Sequence, residues 1–185
     1  MRKMFSFMAV SADGYHADPG QALDWQTLDE EFRQYSLEQL GEADTLVLGR
    51  VTYELLAAYW PAPVGEEFDP GIAKVMNAIG KIVISRTLPQ ATWAGTRLIN
   101  DHAVEELGKL KQRPGKDIAI FGSSTLTAAL LPTGLVDELR VLVNPVVLGQ
   151  GRSVFAGAAK TGLKLLRTRQ FASGSVMLYY QPIIH

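Results

Sequence analysis

Short apolar runs alternate with helical patterns along most of the 185-residue chain, and this alternation limits the possible folds more than any other feature. Parallel strands need crossover helices between them, so such an order predicts an α/β fold: a mostly parallel central sheet flanked by helices. Two last runs, separated by Ser173-Gly174, predict an antiparallel C-terminal hairpin. We expect one domain over residues 1–185, with strands at 3–10, 44–48, 81–85, 117–121, 136–147, 164–171 and 175–181.

The first predicted helix has a recognisable start. Thr27 is a plausible N-cap, and Glu30 lies three residues later, where it would complete a capping box. Gly41 then ends the apolar helical face. A second helix is predicted to begin at Asp69-Pro70, a favourable N-cap and N1 pair.

Composition excludes several classes of function. The formal net charge is −1 and no basic cluster occurs, so we expect neither nucleic-acid nor membrane-surface binding. There are no cysteines, which excludes disulfides and thiolate catalysis. The three histidines lie far apart and predict no metal site. We expect a soluble cytoplasmic protein.

Polar residues follow several predicted strands at the point where each strand ends. The groups are Ser11-Ala12-Asp13, Gly49-Arg50, Ser85-Arg86-Thr87 and Gly122-Ser123. In open α/β sheets ligands bind beyond the carboxyl ends of strands, and strand–glycine–helix turns direct free N–H groups towards phosphates. Two such junctions, one carrying Arg50, indicate a long phosphorylated ligand such as a dinucleotide. The alternative is that they are ordinary connections, since neither a Walker motif nor G-x-G-x-x-G is present.

Five motifs, in order along the chain, resemble the dihydrofolate reductase superfamily, in particular the reductase domain of the bifunctional riboflavin-biosynthesis deaminase–reductase. They occupy residues 8–15, 48–54, 76–88, 121–126 and 134–151. The family usually has two glycines where this chain has Gly122-Ser123. The deaminase domain is absent from this chain.

The resemblance implies an eight-stranded sheet with NADPH bound across the strand ends. The loop over residues 13–25 would correspond to the mobile loop that closes over the nicotinamide. The implied cofactor contacts are Ala9, Gly49, Arg50 and Thr52, then Ser85, Arg86 and Thr87 at the adenosine 2′-phosphate, and Gly122, Ser123, Ser124 and Thr125 at the pyrophosphate.

Two functional hypotheses follow. The first is an NADPH-dependent reductase that transfers a hydride to a small heterocyclic (pterin- or pyrimidinone-like) or carbonyl substrate. Trp25 and Phe32 would line its substrate pocket, unless they are ordinary core residues. Asp13 or Glu30 would donate the proton, although Asp13 before Gly14 is also a common turn residue. The alternative is a non-catalytic nucleotide-binding or stress-related protein on the same fold. The last strands either pair across a two-fold axis in a homodimer or complete a self-contained core.

Overall fold

Ten strands and six helices make up the part of the chain that the computed structural model describes, which is residues 1–20, 24–122 and 124–184. The strands are β1 (Met4–Ser11), β2 (Tyr15–Ala17), β3 (Ala43–Gly49), β4 (Gly80–Ile84), β5 (Thr96–Ile99), β6 (Asp117–Phe121), β7 (Glu138–Asn144), β8 (Arg152–Ser153), β9 (Gly162–Gln170) and β10 (Val176–Ile183). The helices are α1 (Glu30–Glu42), α2 (Arg50–Tyr59), α3 (Pro63–Phe68), α4 (Pro70–Ala78), α5 (Ala103–Gln112) and α6 (Ser124–Leu130).

Eight of these strands form one sheet in the order β5-β4-β3-β6-β1-β7-β10-β9. The six strands from β5 to β7 in this order run parallel. β10 is antiparallel to both β7 and β9. The predicted mostly parallel sheet with a C-terminal antiparallel hairpin is therefore confirmed. The short strands β2 and β8 pair separately.

Apolar residues on both faces of the sheet explain why helices cover both. Met8 on β1 belongs to a buried cluster that includes Leu107 of α5. Phe5, on the other face of the same strand, packs in a cluster with Leu40 of α1 and Met76 of α4. A strand buried on both faces is typical of a parallel sheet between two helical layers.

The predicted start of the first helix was wrong. Asp29 is the N-cap of α1, and its carboxylate accepts a hydrogen bond from the Phe32 N–H at 2.8 Å. Thr27 lies outside the helix because its own N–H donates to the Asn144 side-chain oxygen at 3.1 Å. Glu30 is thus the first helical residue rather than the third residue of a capping box.

Other differences are confined to short elements. The short helix α3 was not predicted; it begins at Pro63, because proline is tolerated in the first helical turn. The strand predicted at 136–147 is shorter and ends before Pro145. β5 was not predicted, and only Ile99 of its four residues is buried. No helix among the described residues is long and apolar enough to cross a membrane.

Candidate functional site

The carboxyl ends of β1, β3, β4, β6 and β7 lie at one edge of the sheet, because these strands run parallel. We call this the carboxyl edge. The polar groups predicted from the sequence follow these strand ends: Ser11 ends β1, Gly49 ends β3, Ser85 follows β4 and Gly122 follows β6. The fold therefore brings the predicted groups to the same edge.

The turns after β3 and β6 are in contact. Gly122 has a φ of +70°, and a Cβ built on it would lie 3.2 Å from Cγ2 of Thr52 in the first turn of α2. Any side chain at this position would both strain the backbone and crowd Thr52. The two junctions predicted to hold phosphates thus form one surface. Ser124 begins α6 and Thr125 is exposed beside it; Ser123 lies outside the described residues.

Arg50 opens α2 at the carboxyl edge, and Gly49 is the N-cap, without a side chain to satisfy the first N–H groups. The Arg50 guanidinium is about half exposed and contacts both carboxyl oxygens of Glu54, at 2.9 and 3.2 Å. A phosphate could therefore approach Arg50, but it would compete with Glu54 for the guanidinium.

The segment after β4 forms a polar turn. The Ser85 hydroxyl accepts hydrogen bonds from the N–H groups of Thr87 and Leu88, at 3.1 and 2.9 Å. Arg86 lies exposed at the tip of this turn. Ala9 is half-buried on β1 and packs with Phe7 against an aromatic cluster on the α1 face. These positions stay predictions as cofactor contacts.

Asp13 has a specific structural setting. Its carboxylate accepts hydrogen bonds from the Ser11 hydroxyl at 2.7 Å and from the N–H groups of Leu148 and Gly149 at 3.1 and 2.7 Å. The Ser11 hydroxyl and these backbone donors hold the pKa of Asp13 below its ordinary value. A carboxyl held in its ionised form is a poor proton donor. The geometry favours a role for Asp13 in fixing the loop after β1.

His16 links that loop to the start of α6. Its Nε2 lies 3.0 Å from the Ser124 hydroxyl. Burial lowers the pKa of His16, and the nearby positive charge of Arg152 lowers it further. This contact was not predicted, because the two residues are 108 positions apart and no motif links them. His16 therefore joins two segments that the predicted cofactor would contact.

A cavity of about 260 Å³ lies between α1 and the start of α4. Glu30 and Phe32 both line it, so the structure brings one predicted catalytic residue and one predicted pocket residue together. Glu30 is exposed at its rim, and its carboxylate lies 3.3 Å from the Arg33 guanidinium. Trp25, the other predicted pocket residue, is half-buried in the segment before α1. The remaining lining residues are Leu28, Asp29, Arg33, Ser36, Phe68, Asp69 and Ile72.

Aromatic rings join this cavity to the carboxyl edge. The ring of Phe32 lies 6.2 Å from that of Phe7, which lies 5.6 Å from that of Phe121. Phe121 directly precedes Gly122. A continuous row of three aromatic rings therefore connects the cavity with the residue before the β6–α6 turn. We call this space the α1–α4 cavity.

A larger cavity of about 400 Å³ lies elsewhere, with Asn77 and Trp93 in its wall. Asn77 precedes β4 and Trp93 precedes β5, so this cavity is at the amino ends of these strands. Its size alone does not make it a substrate site, since the predicted phosphate-binding residues lie at the opposite edge.

Asn144 organises the carboxyl edge and was not singled out as a site residue in the sequence. Its side-chain nitrogen donates to the Val10 carbonyl at 3.2 Å, while its oxygen accepts from the Thr27 N–H at 3.1 Å. The residue is completely buried at the end of β7. The available signal was its position before Pro145 at a strand end.

Among the described residues, no group of three or more acidic, histidine or cysteine side chains could hold a metal.

The family model of the RibD C-terminal domain matches residues 2–177. The chain belongs to this family. The uncharacterised protein YyaP of Bacillus subtilis is 33% identical over 180 residues, which are 97% of this chain and 94% of that protein.

Solved structures share the fold. A deaminase/5-amino-6-(5-phosphoribosylamino)uracil reductase from Thermotoga maritima has a TM-score of 0.71 at 14% identity, covering 98% of this chain and 57% of that one. Dihydrofolate reductase from Enterococcus faecalis, complexed with NADP(H), has a TM-score of 0.66 at 18% identity and covers 97% of this chain and 96% of that one. The resemblance read from the sequence is confirmed.

Proposed function

We propose that this protein is an NADPH-dependent reductase that transfers a hydride to a small heterocyclic or carbonyl substrate. The observation that carries the proposal is the contact between Gly122 and Thr52, which joins two phosphate-type turns into one surface at the carboxyl edge. Membership of the RibD C-terminal domain family also supports the proposal that the protein is a reductase.

The residues at this edge fit a dinucleotide phosphate chain. The α2 N-terminus offers free N–H groups behind Gly49, and the space beside Thr52 exists because residue 122 has no Cβ. Arg50 and Arg86 supply exposed positive charge after the neighbouring strands β3 and β4, with the Ser85 turn beside Arg86. When bound, NADPH would supply the hydride; the protein would supply orientation and charge.

The α1–α4 cavity would hold the substrate. Phe32 offers an aromatic wall for a planar ring, and Glu30 stands at the rim with its carboxyl in contact with water. Glu30 can therefore pass a proton between solvent and a bound substrate. Asp13 is the weaker candidate, because its oxygens are occupied by three donors.

A non-catalytic nucleotide-binding protein is the second candidate, and one observation favours it. Neither predicted acid is enclosed in an apolar pocket that would favour its protonated form: Asp13 is tied to backbone donors and Glu30 is exposed. Oxidation of NADPH with pterins, pyrimidinones and small carbonyl compounds separates the two. A reductase should turn over one of them and lose turnover in Glu30→Gln while keeping cofactor affinity; a binding protein should turn over none.

We also propose a homodimer formed through β9. This strand is at the edge of the sheet and exposes three leucines, Leu163, Leu165 and Leu166, at 37–51% of their surface. An exposed apolar edge strand offers free backbone groups and a surface for a second strand. A second copy of this chain would pair with the free backbone groups and cover the exposed leucines.

A further inference from the structure

Arg33 is the cationic residue of the α1–α4 cavity, and Asp69 holds it. Nε of Arg33 donates to Oδ2 of Asp69, and Nη2 donates to Oδ1 at 3.2 Å. A third donor, Nη1, lies 3.3 Å from Oε1 of Glu30. The Asp69 side chain is only 3% exposed, so water does not loosen the pair from the carboxylate side.

The local backbone is shaped around this pair. Asp69 is also the N-cap of α4, and its Oδ1 accepts the Ile72 N–H at 2.9 Å. A Cβ on Gly71 would lie 3.3 Å from Nη2 of Arg33, so glycine leaves room for the guanidinium. Burial by itself raises the pKa of Asp69, but the Arg33 guanidinium and the Ile72 N–H more than offset this, and the carboxyl is held ionised.

The consequence is that the described residues of the cavity lining offer no unpaired cation. Three carboxylates, those of Asp29, Glu30 and Asp69, share the lining with one guanidinium, which is already paired. A phosphate binds to free Arg or Lys side chains or to uncapped helix N-termini, but the two helices that begin at this cavity are already capped by Asp29 and Asp69, and like charges brought together repel. A substrate that carries phosphate would meet excess negative charge here.

We propose that Asp69 is a specificity-determining residue, which neutralises Arg33 and so reserves the α1–α4 cavity for uncharged or cationic planar rings and rejects phosphorylated substrates. This rests on the proposed function, which makes the cavity the substrate site. The size of the cavity agrees with a small ring, because about 260 Å³ is just below the usual range for ligand pockets. Phe32, Phe68 and Ile72 provide apolar contacts for such a ring.

The deciding variant is Asp69→Asn. Asparagine is an equally good N-cap, so α4 keeps its acceptor for Ile72, while Arg33 loses its buried charged partner and keeps only the exposed Glu30. Asp29→Asn is the matched control: Asp29 also caps a helix and lines the cavity, and its carboxylate accepts the Phe32 N–H. Asp69→Ser, which also preserves an N-cap, is the substitute if Asp69→Asn does not fold.

Binding of ribose 5-phosphate, with ribose as the uncharged comparison, is measured by titration calorimetry on the full chain. We expect Asp69→Asn to bind ribose 5-phosphate about tenfold more tightly than the wild type, as a freed arginine–phosphate pair would give. Asp29→Asn removes one carboxylate but frees no arginine, so its affinity for ribose 5-phosphate should rise much less. Adding Arg33→Met to Asp69→Asn should abolish the gain, which separates the cavity from phosphate contacts at the carboxyl edge.

Equal gains in both asparagine variants would show a general charge effect and overturn the proposal. Wild-type affinity for ribose 5-phosphate equal to that of Asp69→Asn would also overturn it. NADPH titration of the same variants is a separate readout. If the wild type binds no NADPH, the proposed function fails, while the ribose 5-phosphate comparison still decides whether Asp69 controls Arg33.

Discussion

At the scale of one residue, Arg50 is the proposed phosphate contact of the carboxyl edge that is easiest to test. We expect Arg50→Ala to weaken NADPH binding by about 1–3 kcal/mol, the range for a charge-assisted contact. Glu54→Gln should strengthen binding, because it removes the competitor that contacts Arg50 at 2.9 Å. Fluorescence titration measures both, and unchanged affinity in Arg50→Ala would remove this residue from the site.

His16 gives a prediction on pH. Burial and Arg152 keep its pKa in the folded protein below the ordinary value of 6.5. As the pH falls through 6.5, the unfolded chain takes up this proton before the folded one does, so the free energy of unfolding decreases. The stabilising contribution is complete above that pH.

Urea unfolding at several pH values between about 5 and 8 tests this, since histidine is the side chain that titrates there. In His16→Gln, the free energy of unfolding should decrease less as the pH falls than it does in the wild type. His102→Gln, at an exposed position, should keep the wild-type pH dependence. The same slope in the wild type and His16→Gln would contradict the argument.

Contacts between residues far apart in the sequence could not be predicted. Polar residues at strand ends were found because their spacing follows the strands. The Arg33–Asp69 pair was not found, since its members are 36 positions apart and belong to helices whose packing depends on the whole fold. Asp13 was weighed as a turn residue or a proton donor, and its two backbone donors, Leu148 and Gly149, lie more than 130 positions away.

At the scale of elements, the loop after β1 is fastened to the segment between β7 and β9. Ala12 donates its N–H to the Val146 carbonyl at 2.8 Å, and β2 pairs with β8. Gly151 makes this possible: its φ is +147°, and a Cβ there would lie 2.2 Å from the Ala17 carbonyl oxygen. The loop expected to cover the nicotinamide is thus anchored in its first part.

Gly151→Ala should therefore separate β8 from β2 and reduce the free energy of unfolding by about 1–3 kcal/mol. Gly149→Ala is the control, because its φ is also positive, at +74°, but a Cβ there has no atom within 4 Å. Gly149→Ala should reduce the free energy of unfolding by less than Gly151→Ala does. Chemical denaturation measures the difference, and equal costs would show that strain alone, without the clash, explains the effect.

Long elements with clear periodicity were predicted well, and short or competing signals were not. The parallel strands and the terminal hairpin follow from apolar runs with turn residues between them. The start of α1 was misplaced because Thr27 and Asp29 are both good caps, and the choice depends on Asn144, which holds the Thr27 N–H. β5 has a single buried residue and so little pattern to detect.

At the scale of the molecule, the exposed edge strand β9 leads us to predict a homodimer. We expect a dimer that dissociates in Leu165→Lys, because a charge at a position 51% exposed in the monomer would be buried in the interface. Val104→Lys, at an exposed position on α5, should leave the assembly unchanged. Sedimentation equilibrium measures the mass, and a monomeric wild type would contradict the proposed homodimer.

The proposed function requires that the carboxyl edge binds NADPH. The most direct measurement is titration of tryptophan fluorescence with NADPH and with NADH, since Trp25 lies in the segment between β2 and α1. Arg86→Ala tests the turn after β4, and Arg113→Ala, an exposed arginine before β6 at the opposite edge, is the control. The account predicts preferential binding of NADPH, weakened in Arg86→Ala and unchanged in Arg113→Ala. Binding of neither dinucleotide would contradict it.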